Sequence, residues 1–72
     1  MKKNTYLVEA SRKPGLFEPY ESRKYYLMSQ DRLSKMLLQP VLWAIWSAKR
    51  INLELTPLEQ LQAVYGTIEN ID

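Results

Sequence analysis

A chain of 72 residues with a net charge of +2 and neither cysteine nor histidine has the size of one small domain. That composition excludes disulfide staples, the usual nucleophile–base pairs and nearly every zinc site. A domain this small buries only roughly 60% of its unfolded surface, so a well-packed core or a partner protein has to supply what covalent cross-links do not.

The charge is unevenly spread. Residues 1–50 carry all ten Lys and Arg against four acids, a balance of +6, whereas residues 51–72 carry four acids and no base. A basic body with an acidic end can meet nucleic acid, an acidic protein surface or its own end; it can also do no more than solvate a small domain. No apolar run approaches the roughly 20 residues of a membrane span. The start, Met1 to Tyr6, has two lysines but neither a long apolar segment nor a small-residue cleavage site, so no signal peptide is expected. The expectation is a cytoplasmic protein with no membrane partner.

Thr5 to Ala10 is rich in β-branched and aromatic residues and reads as a strand, with Tyr6, Val8 and Ala10 on one face and Thr5, Leu7 and Glu9 on the other. Both faces are partly apolar, so one should meet a core and the other be half covered. Ser11 to Ser22 reads as a loop, in which Pro14-Gly15 suits the centre of a type II turn and Pro19 blocks a continuing strand. Leu16, Phe17 and Tyr20 sit in this loop, flanked by Arg12, Lys13, Arg23 and Lys24. They either fold back over the small core or form an exposed aromatic–basic hook for a partner. Arg23 to Met28 is the second strand, pairing antiparallel with the first as a hairpin with a long connection.

Ser29 or Asp31 can cap a short helix carrying Leu33, Met36 and Leu37, which ends near Leu38 because Pro40 disfavours helical geometry at Gln39. A second helix is expected from Pro40 to Arg50, with Pro40 in its first turn and Lys49-Arg50 at its negative end. A single kinked helix over residues 30–50 is the alternative. Val41 to Trp46 is apolar almost all the way round, which makes this helix the expected core pillar, with Lys49, Arg50 and an exposed Trp43 or Trp46 as its only contact candidates. Ile51 to Leu55 alternates and suggests an extended segment or a short third strand. Thr56-Pro57-Leu58-Glu59 has the pattern of a capping box opening a last helix, which Gly66 ends, leaving 67–72 as a frayed acidic tail after a single domain over 1–66. The fold class is therefore α+β: an N-terminal β-hairpin, with a possible short third strand, on a small core of two to three helices.

Chemistry is sparse. The acids are scattered, and Gly15 and Gly66 are the only glycines, so there is no phosphate cradle; no enzyme activity, cofactor or metal is expected. Two helices joined at Gln39-Pro40 have the outline of a helix-turn-helix, but the second offers Val, Leu, Trp, Ala and Ile where base reading needs Arg, Lys, Asn or Gln. The Arg23 to Tyr26 strand could stack single-stranded nucleic acid, and the basic residues could touch its phosphates. Protein binding meets fewer obstacles, with Tyr6, Val8, Arg12, Lys13, Leu16, Phe17, Tyr20, Arg23, Lys24 and Tyr26 as the partner-binding candidates on ribbon and loop.

Lys3 to Ala10, the Arg23 to Leu27 strand and the overall size resemble the small RNA-polymerase-binding transcription regulators of Xanthomonas lytic phages. The resemblance implies a phage protein acting in the host cytoplasm, where it blocks initiation at host promoters and suppresses termination. It implies host RNA polymerase as partner, at the N-terminal part of the β′ subunit. The resemblance further implies an elongation factor beside it on the polymerase, and no functional residue is carried over. The alternative is a small phage- or plasmid-type nucleic-acid-binding domain.

Overall fold

The computed structural model describes residues 5–71. The chain is α+β, in the order β1 (Thr5–Arg12), β2 (Lys24–Ser29), α1 (Gln30–Leu37), β3 (Trp43–Ile51), α2 (Leu58–Tyr65) and β4 (Ile68–Asn70). One mixed sheet runs β3-β1-β2-β4. β1 pairs antiparallel with β2, Leu7 facing Leu27, and with β3, Val8 facing Ala48; β4 pairs parallel with β2, Ile68 beside Tyr25.

The two-sided apolar pattern of β1 follows from a sheet covered on both faces. On one face Val8, Ala10, Tyr26 and Met28 pack with Leu33 and Met36 of α1. On the other, Leu7, Leu27 and Ile68 pack with Leu61 of α2. Each fully buried apolar side chain contributes roughly 1.5–3 kcal/mol, so two eight-residue helices, too short to persist alone, are held by the sheet they cover. α1 starts where the sequence places it: the Ser29 hydroxyl oxygen accepts from the Arg32 amide at 3.3 Å.

The expected helix over Pro40 to Arg50 is instead strand β3, on the sheet edge beside β1. The helix-turn-helix outline goes with it, as does the core pillar: Val41, Leu42 and Trp46 are exposed, and only Trp43 and Ile45 pack against the α1-side core. The run lacks strand alternation because both of its faces carry apolar groups. Trp43 and Ile45 point to the α1 side, and a register shift opposite Glu9/Ala10 leaves Trp46 as the extra residue of a bulge.

Four local expectations are also corrected. Ile51 closes β3, and the residues after it form a turn in which the Asn52 side-chain oxygen accepts from the Glu54 amide at 3.0 Å. Pro57, not Thr56, is the N-cap of α2, and no side-chain capping bond forms there. Gly66, at φ 84°, ends α2 as expected, but Ile68–Asn70 is strand β4 and not a frayed tail. Gly66 is also the only described residue with positive φ, so Pro14-Gly15 is not a type II turn with glycine in the left-handed position.

Candidate functional site

The β1–β2 connection leaves the sheet at the end where the turn before β3 arrives, and the two are tied together. The Glu21 amide donates to the Arg12 carbonyl at 2.7 Å, closing the base of the loop, and the Lys13 amide donates to the Leu42 carbonyl at 2.8 Å. The Tyr20 hydroxyl donates to the Val41 carbonyl at 3.2 Å, and the Lys13 ammonium lies 5.4 Å from the Tyr20 ring centroid. Beyond these ties the tip projects into solvent: Leu16 is 66% and Phe17 97% exposed. Leu16 and Phe17 therefore do not fold back over the core. The loop emerges past the sheet's end, away from both core clusters.

The ten partner-binding candidates separate into four places. Tyr6, Val8 and Tyr26 belong to the α1-side core; Val8 and Tyr26 are buried there and are corrected from contact residues to packing residues, because β1 and β2 turn them under α1. Lys13, Leu16, Phe17 and Tyr20 stay together on the loop. Arg12 and Lys24 line an open cleft of about 480 Å³ with Arg32, Glu21, Trp43 and Glu69, on the part of the α1 face that the short helix leaves uncovered. Tyr26 reaches this cleft too, and its hydroxyl pKa is raised, first by burial, then by the carboxylates of Glu69 and Glu21, with Arg12 opposing.

Arg23 goes to the opposite face. Its guanidinium carbon lies 4.7 Å from the Trp46 ring centroid, and a terminal nitrogen lies 3.7 Å from a carboxylate oxygen of Glu9. The indole N–H of Trp46 donates to the Ser11 hydroxyl oxygen at 3.1 Å. Trp46 was a contact candidate only in the event of exposure, and it is 59% exposed. Ser11 and Glu9, which hold this arrangement, carry no signal in the sequence, because the register shift that brings them together is a tertiary feature.

Among the described residues no three His, Cys, Asp or Glu side chains group so as to hold a metal ion. No described helix is long and apolar enough to cross a membrane. The chain matches no family model, no curated protein and no solved structure.

Proposed function

We propose that the chain is a small non-enzymatic regulator that docks onto host RNA polymerase in the cytoplasm, inhibiting initiation and suppressing termination. The observation that carries the docking is the loop tip. A phenylalanine 97% exposed beside a leucine 66% exposed is an apolar anchor, carried on a loop whose ties at Arg12, Lys13 and Tyr20 limit the backbone freedom lost on binding. Arg12 and Lys13 at its base, with Lys24 nearby on β2, favour an acidic rim around the partner's pocket. The choice of polymerase as partner comes from the resemblance carried by 3–10 and 23–27, of which 5–10 and 24–27 lie in the adjacent strands β1 and β2.

Affinity capture from a host lysate tests both parts of the reading. The wild-type chain is expected to retain polymerase subunits, and the double variant Leu16→Ser/Phe17→Ser to lose at least tenfold of that capture with an unchanged far-UV spectrum and melting temperature. Capture of a different partner without polymerase would reject the polymerase assignment. Undiminished capture by the double variant would reject the loop as the anchor.

A further inference from the structure

On the α2 side of the sheet, from the β3 edge to the end of α2, aromatic rings lie beside cations. Trp46 on β3 comes first, held by its bond to buried Ser11 and 59% exposed. Next is Arg23, 4.7 Å from the Trp46 ring centroid, its guanidinium also tethered by Glu9. Beyond it lie Tyr25 of β2 and Tyr65 of α2, half-buried against the α2-side core with ring centroids 5.0 Å apart, whose outer edges line with Arg23 and Lys24 an open cleft of about 400 Å³. Lys49, opposite Leu7 on the same face, is exposed at the β3 edge.

We infer that this band, Trp46–Arg23–Tyr25/Tyr65, binds single-stranded nucleic acid by stacking bases on its rings and guanidinium. The inference is independent of the polymerase reading and uses none of the loop-tip residues. Three features favour this occupant. Aromatic and guanidinium planes repeating across a sheet are what successive bases stack on, whatever their sequence. Arg23 and Lys49 supply phosphate-neutralising charge on this face, and Lys24, from the α1 side of β2, reaches the rim of the Tyr25/Tyr65 cleft. The Trp46 indole is held by its bond to Ser11, so stacking on it loses little side-chain freedom. The carboxylates of Glu9 and Glu69 border the band and offset part of the bulk attraction for polyanions, which leaves stacking as the main source of affinity. A duplex, whose bases are already stacked on each other, cannot use it.

The test titrates the full chain into fluorescein-labelled oligothymidylate and oligouridylate, following anisotropy at several salt concentrations. A Trp43→Phe chain reports on Trp46 emission alone. The expected result is binding with quenched Trp46 emission and a log–log salt slope of about −1.5 to −2, the release expected for two or three phosphates of a single strand. Trp46→Ala should lower affinity about tenfold and Trp46→Tyr should restore most of it, since stacking is worth that much per base. Leu16→Ser/Phe17→Ser should bind the oligonucleotide as the wild type does. Absence of binding at low salt, unchanged binding by Trp46→Ala, or equal competition by duplex DNA would each overturn the inference. If Trp46→Ala abolished capture of a protein partner but not oligonucleotide binding, the band would belong to a protein interface instead.

Discussion

Tyr26 is where the packing of the sheet meets its charges. Its ring sits edge-on to Trp43, centroids 5.6 Å apart, within the α1-side core, while Glu69, Glu21 and Arg12 act on its hydroxyl from around the cleft. Burial is the largest cause of its raised pKa, because a phenolate would lose hydration there. The consequence for stability has a definite sign. Below the ordinary tyrosine value near 10 both folded and unfolded phenols are protonated, and the contribution is fully present. Above it the unfolded phenol ionises while the folded one keeps its proton, so stability falls as pH rises toward the folded value. Urea midpoints measured from pH 8 to pH 11 should drop more steeply above pH 10 for the wild type than for Tyr26→Phe. Parallel curves would show that Tyr26 does not titrate differently in the two states.

At the scale of the elements, the chain divides into those fixed by local signals and those fixed by neighbours. β1, β2 and α1 were legible because their cues are local: β-branched and aromatic runs, then a serine placed to cap the helix that follows. Ser29→Ala removes the acceptor for the Arg32 amide and should cost about 1 kcal/mol in denaturant-derived stability. A cost near zero would mean that solvent replaces the cap. β3 was not legible, and the reason is physical. Val41 to Trp46 is apolar without period, which does not distinguish a buried strand from a buried helix. Pro40 and Lys49-Arg50 then happen to suit both ends of a helix. What decides for the strand is the free edge of β1, whose backbone groups have to be paired, and no reading of residues 40–50 in isolation contains that requirement. The same limit applies to the candidate site. The loop hook was visible in its composition, whereas the joining of Arg23 to Trp46 depends on the bulge. That bulge also breaks the regularity of the exposed β3 edge, and with Lys49 and Arg50 it guards the strand against unwanted pairing.

For the whole molecule, the separation of charge along the sequence is undone by the fold. The acidic end returns to the basic body, and Glu69 of β4 lines the clefts on both sides of β2, beside Arg12, Lys24 and Arg32 on one and Arg23 on the other. The return of β4 also makes residues 68–71 part of the domain. Ile68 is 8% exposed and closes the α2-side core against Leu27 and Leu61, and the Ile71 amide donates to the Leu27 carbonyl at 3.2 Å. Removing residues 67–72 would expose Leu27 and Leu61, strip β2 of its outer partner and forfeit the burial of Ile68, alone worth roughly 1.5–3 kcal/mol. Against a total stability of about 5–15 kcal/mol for a domain, that loss should lower the urea midpoint sharply or leave the chain unfolded. Glu69→Gln, which changes the charge and keeps the strand, should shift the midpoint far less, while Ile68→Ala should reproduce much of the truncation. If the truncated chain instead unfolded at the wild-type midpoint, β4 would contribute nothing to the fold and residues 67–72 would be the frayed acidic tail that their composition suggests.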